Sequence, residues 1–234
     1  LNKGFNLLPE PTNQDLFFDL EGVQDYVFPG KLEYLFGVFY VEDGKEIFKT
    51  YWAHNKDEEK ESVVQFFKFT KAHFKKYPKA KIYHYAPYEI TALERLTSIH
   101  KVHGVDYDHY LNLGKFVDLF RVVKQGIYVS QKSYSIKDIE KYYDFKRTGE
   151  ILKGDVSEEF YIQWMNNNDK RLLDKIEDYN KQDCESTFRL RKWLLRIKPK
   201  QTKWFVPEKE KIELRPFEET LLEFQGKFEN FKPK

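Results

Sequence analysis

Leu16-Phe17-Phe18-Asp19-Leu20-Glu21-Gly22 opens on three large apolar residues and closes on two carboxylates one residue apart, followed by a glycine. The apolar run reads as a buried strand over 15–20. Side chains two apart in a strand point to the same face, so Asp19 and Glu21 stand side by side at its end. Two like charges that close repel, and burying them unpaired costs on the order of several kcal/mol. Two readings satisfy this. A divalent cation gathers both side chains through their oxygens, or the strand runs out into a solvated acidic turn.

The neighbouring segments give this strand partners. Gly22, Pro29 and Gly30 make 22–31 a loop, and Leu32 to Val41 is a second apolar run. It ends at Glu42-Asp43-Gly44, where Asp-Gly signals a hairpin into Lys45 to Ala53. The first three strands therefore form an antiparallel meander. From Asp57 to Tyr77, Val63, Phe66, Phe67 and Phe74 recur at helical spacing, and Pro78 stops the helix. Lys68, Lys71, Lys75 and Lys76 lie on its polar face, which either touches phosphates or, the reading preferred, is simply solvated. A short strand follows at Lys81 to Tyr85, then a helix opened by Pro87 and closed by Gly104. Lys115 to Phe120 reads as another strand, Ser133 to Glu140 as a capped helix, and 157–166 as a further helix. The longest helix is 170–196, with Leu172, Ile176, Tyr179, Cys184, Phe188 and Leu194 on its inner face. The order of strands and helices predicts an α/β fold: a mixed sheet, a three-strand antiparallel meander followed by parallel strands, flanked by helices.

Composition narrows the function classes. The 234 residues are 33% charged and 18% aromatic, which is a folding composition with room for a sizeable core. Net charge is only +2, so a nucleic-acid surface has to be a local patch. The single cysteine, Cys184, excludes an internal disulfide and any cysteine cage for zinc or iron–sulfur, and suits a cytoplasmic protein. No apolar run approaches membrane-spanning length, and no signal peptide is visible. The chain starts at Leu1 and ends in Phe-Lys-Pro-Lys, which suggests a piece of a longer polypeptide. Residues 200–234, charged with scattered apolar positions, read as an extension or linker.

Further acids deserve weighing beside the first pair. Tyr179 and Asp183 are four apart and share a helix face. Asp183 there either pairs with Arg189 or Lys181 or faces water, or it supplies a third metal ligand with the Tyr179 hydroxyl beside it. Glu89 lies in the first turn of a helix just after a strand, a place also favoured by the helix dipole alone. Asp118 ends a strand, where a structural hydrogen bond and an auxiliary ligand are both open. Tyr85 and Tyr88 are either base-stacking or packing aromatics. Arg189 and Lys192 belong to the densest basic run, which either tracks a phosphate backbone or solvates a helix end. His84 has no second His or Cys at ligand spacing and reads as a buried, satisfied histidine.

Taken together, Asp-x-Glu on the first strand, an acid after the fourth, and Tyr-x-x-x-Asp on a late helix resemble the three exonuclease motifs of the DEDD superfamily, tyrosine subclass. The stretches Leu32-Glu33-Tyr34-Leu35-Phe36-Gly37, Ile82-Tyr83-His84-Tyr85-Ala86-Pro87-Tyr88-Glu89, Val117-Asp118-Leu119 and Tyr179-Asn180-Lys181-Gln182-Asp183-Cys184 are similar to the RNase H-like domain of the bacterial RecB-like nuclease family. The resemblance implies an RNase H-like fold and a 3′–5′ exonuclease-type domain over 1–199. It also implies two Mg²⁺ or Mn²⁺ ions held by Asp19, Glu21, Glu89 and Asp183, with Tyr179 orienting the attacking water. The implied partners are nucleic acid, DNA before RNA, and covalently linked RecB-type nuclease and superfamily 1 helicase domains, in a DNA-repair setting. One departure is that the second motif usually supplies Asp where this chain has Glu89. That keeps an alternative open: a catalytically weakened domain that binds nucleic acid or braces its neighbours.

Overall fold

Alternation along one strand decides which side chains face which layer. In the computed structural model, which describes residues 3–25, 30–148 and 154–207, β1 (Leu16–Asp25) is the middle strand of a five-stranded sheet. The other strands are β2 (Gly30–Glu42), β3 (Lys45–Trp52), β4 (Ile82–His84) and β5 (Phe116–Asp118), in the order β3-β2-β1-β4-β5. β3, β2 and β1 are antiparallel neighbours, and β4 and β5 continue the sheet in parallel with β1. This is the mixed α/β sheet expected. Asp43 and Gly44 turn the hairpin with φ of 50° and 76°, a backbone region that these residue types tolerate.

The even-numbered residues Leu16, Phe18 and Leu20 pack on Phe66 and Phe67 of α1 (Lys56–Lys76), Leu93 of α2 (Tyr88–His100) and Tyr107 of α3 (Gly104–Asn112). On the opposite face, Phe17 packs with Val122 of α4 (Leu119–Gly126) and with Phe188 and Leu190 of a later helix. After α5 (Ile136–Ile139) and α6 (Gly154–Asn167), that helix is α7 (Lys170–Ile197). Val23 packs with Tyr34, Leu35, Tyr161 and Ile176. Each large apolar side chain fully buried in these layers contributes about 1.5–3 kcal/mol. Asp19 and Glu21 fall on the Phe17–Val23 face, between two apolar clusters and under α7.

Four local expectations need correction. β1 continues through Gly22 to Asp25 and β2 begins at Gly30, so only part of 22–31 is loop-like; 26–29 lie outside the described residues. Gly104 begins a helix instead of closing one: α3 buries Tyr107 and Tyr110, three apart, with no aliphatic repeat to announce it. Leu119 and Phe120 belong to α4, because Asp118 ends β5 and caps the helix in one step, with no turn residue between. Ser135 caps α5, but α5 is a single turn followed by a 3-10 turn at Glu140–Tyr142. Residues 208–234 of the expected extension also lie outside the described residues.

Candidate active site

Asp19 lies opposite Gly37 of β2 and Glu21 opposite Leu35, and the register shifts immediately after Glu21. Gly37 lets α7 press onto the sheet: a Cβ there would lie 1.7 Å from Asn180 Oδ1. Seated over that gap, Asn180 donates from Nδ2 to Asp19 Oδ2 at 2.6 Å, and its amide favours the ionised form of the neighbouring Glu21. Ser157 of α6 also favours the ionised form of Glu21, and its Oγ is 2.9 Å from the Tyr34 hydroxyl. Asp183 follows Asn180 by three residues and shares its helix face. Carboxylate oxygens of Asp19, Glu21 and Asp183 all lie within 4.8 Å of one another.

Glu89 enters from α2. The turn before that helix is held at Ala86, which has φ 75°. Asp118 Oδ1 accepts the Ala86 N–H at 3.0 Å and the Phe120 N–H at 2.9 Å, while His84 Nδ1 donates to the Ala86 carbonyl at 2.8 Å. Both polar groups of a strained residue are thus fixed, and with them the start of α2. Glu89 is 4% exposed, and its carboxyl is one of the neighbouring groups that raise the Asp19 pKa. His84 Nδ1 is 3.5 Å from Glu89 Oε2, but burial lowers the histidine's pKa and its proton goes to Ala86, so the two are not an ion pair.

Burial is the largest influence on all four carboxyls and raises every pKa. Asp19 is pushed well above the usual range by burial and then by Asp183 and Glu89. Glu21 is pushed well up by burial and then by Asp19. Glu89 is raised by burial to about 8. Burial also raises Asp183, against the opposing pull of Arg147. Arg147 pairs with Asp183 at 2.5 Å and with Glu140 at 2.6 Å, with only 7% of its side chain exposed. Lys137 donates to the Tyr179 hydroxyl at 3.0 Å. Among the described residues, Glu89 Oε2, Asn180 Oδ1 and Arg147 Nη1 are buried without a hydrogen-bond partner. All three belong to this one site.

The donor set fits a hard divalent metal. It offers carboxylate oxygens and no sulfur or imidazole, and one buried Glu89 oxygen lacks any other partner. Asp19, Glu21 and Asp183 can hold such an ion; Glu89 adjoins them through Asp19.

Other sequence candidates lie elsewhere or are otherwise engaged. Asp118 points its carboxylate into the Ala86 turn. The Tyr85 hydroxyl donates to the Tyr134 carbonyl at 2.5 Å, and its ring packs edge-on against Phe120. Tyr88 is 37% exposed and donates to Glu33 at 2.7 Å. Arg189 pairs with Glu46, and Lys192 lies over the Phe188 ring. Arg189 is six residues beyond Asp183, about 9 Å along α7 and on a different face. Cys184 is buried, with its Sγ 3.4 Å from the Gly37 carbonyl. Sequence reading missed Asn180, Ser157, Arg147 and Lys137. Only Asn180 carried a signal, its three-residue spacing from Asp183.

No helix among the described residues is long and apolar enough to cross a membrane. No curated protein matches the chain. A family model for the RNase H superfamily matches residues 16–195, from the first residue of β1 to near the end of α7. That span includes every acid of the cluster and the whole mixed sheet. The chain belongs to the RNase H superfamily, a membership that points to nucleic acid as substrate and to hydrolase chemistry.

Proposed function

We propose that the protein is a metal-dependent nuclease domain, a 3′–5′ exonuclease working on single-stranded ends. The observation that carries this is the convergence of Asp19, Glu21 and Asp183, joined by Glu89, with Tyr179 one turn before Asp183 on α7. In this reading Asp19, Glu21, Glu89 and Asp183 hold two Mg²⁺ or Mn²⁺ ions. Such ions, when bound, supply an acidified water and neutralise charge on the leaving oxygen.

The chain's own groups do the positioning. The Tyr179 hydroxyl, fixed by Lys137, hydrogen-bonds the attacking water; burial raises its pKa, so it stays neutral and orients without ionising. Arg147, paired with Asp183, and Lys137, which also pulls the Asp183 pKa down, offset the charge of the cluster as the phosphate arrives. Asp118 acts on Glu89 through the Ala86 turn. At the rim, the half-exposed Tyr88 stacks on a terminal base, supported from within by Tyr85, while Arg189 and Lys192, farther along α7 and off the acid face, meet the backbone away from the cluster. The same reading takes DNA as the substrate and sets the domain in a larger polypeptide with nuclease and helicase domains.

A second reading, binding without hydrolysis, is favoured by the Arg147–Asp183 ion pair, which already gives one acid a cationic partner. Single strands labelled at the 3′ or 5′ end and incubated with Mn²⁺ separate the two. The exonuclease releases labelled mononucleotide first from the 3′-labelled strand, and Asp19→Ala removes the activity. Degradation from neither end would leave only the second reading.

A further inference from the structure

A second feature of the α7 face is an aromatic stack that starts at the acid cluster and ends at the surface. The Tyr34 and Tyr161 rings stack at 3.8 Å with 5° between their planes. His54 stacks on Tyr161 at 5.9 Å and on Trp52 at 5.7 Å, and Trp164 lies 4.2 Å from His54. At the inner end the Tyr34 hydroxyl meets Ser157, which influences the ionisation of Glu21. At the outer end Trp52, His54 and Trp164 line an open cleft of about 420 Å³ with Leu173, Glu177 and Lys170. Glu21, Leu35 and Trp52 are register partners across β1, β2 and β3, so Trp52 lies two strand spacings, about 10 Å, from Glu21.

The cleft's polar groups select among flat ligands. Glu177 is held in place by the Trp52 indole N–H at 2.9 Å and by the Thr50 hydroxyl at 3.5 Å. Both bonds end on Oε2, so among the described residues Oε1 keeps its acceptor capacity. Lys170 is exposed at the rim. Aromatic faces take any base, a carboxylate prefers an exocyclic amine to the imide N–H of thymine, whose two flanking carbonyl oxygens repel it, and a rim lysine meets a backbone phosphate.

We propose that this cleft is a nucleobase subsite for single-stranded nucleic acid, with the base against Trp164 and Trp52, its exocyclic amine on Glu177 and a neighbouring phosphate on Lys170. The subsite rests on the nuclease reading for its biological sense, but base binding here needs no metal. It anchors the strand beside the acid cluster and favours amino-bearing cytosine over thymine.

The test is a fluorescence titration with short oligodeoxycytidine and oligothymidine in excess chelator, so that hydrolysis cannot contribute. Oligodeoxycytidine quenches the tryptophans and binds more tightly than oligothymidine. Trp164→Ala weakens binding about tenfold. Lys170→Ala lowers the salt slope by about 0.7. Glu177→Gln, whose amide donates as well as accepts, narrows or reverses the cytosine preference. The half-exposed Glu177 and exposed Lys170 keep the test informative if Trp164→Ala misfolds, which a melting curve reveals. Unchanged affinity and quenching in these variants would overturn the subsite, as would quenching by N-acetylarginine amide and not by either oligomer, the mark of a cationic peptide occupant. Loss of metal-dependent hydrolysis with quenching intact would count against the nuclease reading alone.

Discussion

Asn180 is the residue on which the geometry of the acid pair depends. It is the α7 side chain that donates to Asp19 and, from the same place, favours the ionised form of Glu21. Leaving a buried hydrogen-bonding group without its partner costs about 1–3 kcal/mol. Asn180→Leu should lower unfolding free energy by about 2 kcal/mol in urea titration and weaken Mn²⁺ binding at least tenfold; unchanged values for both would show that the amide is idle. Asp118 gives a sharper discrimination. A metal ligand loses its function when Asp becomes Asn, whereas a residue that accepts two backbone N–H groups keeps it. Asp118→Asn should therefore preserve Mn²⁺ affinity and Asp118→Ala reduce it, with about 1 kcal/mol lost from the α4 cap. Loss of affinity in Asp118→Asn would make it a ligand after all. At this scale the sequence was readable where spacing alone fixes direction: Asp19 and Glu21 two apart on a strand, Tyr179 and Asp183 four apart on a helix. Arg147 was not readable, because it reaches Asp183 from an irregular segment after the 3-10 turn, where no periodicity tells which way a side chain points.

Between elements, the closest approach that matters is α7 on β2. Gly37 has a role only because Asn180 occupies the space where its Cβ would be. Overpacking costs about 1–3 kcal/mol where neighbours can shift, and here the neighbour is tied to Asp19. Gly37→Ala should destabilise the protein by at least that amount and separate Asp183 from Asp19, abolishing the Mn²⁺-induced rise in melting temperature. A melting curve and Mn²⁺ response like wild type would show that α7 has slack at this point. The meander, α1, α2 and α7 were legible because each buries one regular stripe between clear turn or proline signals. α3 and α4 were not. One presents tyrosines in place of an aliphatic repeat, and the other begins on the residue that ends β5, so strand and helix merge into one apolar run.

Across the whole molecule, the acid cluster makes stability depend on pH in an unusual direction. Folding raises the carboxyl pKa values of Asp19, Glu21, Glu89 and Asp183, with Glu89 moving from 4.5 to about 8. The folded protein then binds more protons than the unfolded chain between about pH 4 and 8. The stability these groups contribute is complete below pH 4 and is lost as pH rises through the folded values. Metal-free protein should accordingly be less stable at pH 8 than at pH 5.5, by an amount on the order of a few kcal/mol, and Asp183→Asn should reduce that difference. A rise in stability over the same interval would mean that the buried carboxyls ionise freely. Divalent metal binds the ionised form, so its stabilising effect should be largest at the alkaline end.

The site therefore reduces to one question, whether these buried acids are a metal centre. Calorimetric titration of chelator-treated protein with Mn²⁺ at pH 7.5 answers it most directly. Saturable binding to wild type, with proton release, and its loss in Asp19→Ala and Asp183→Asn is the predicted result. Absence of binding to folded wild type, or equal binding in both variants, would contradict it.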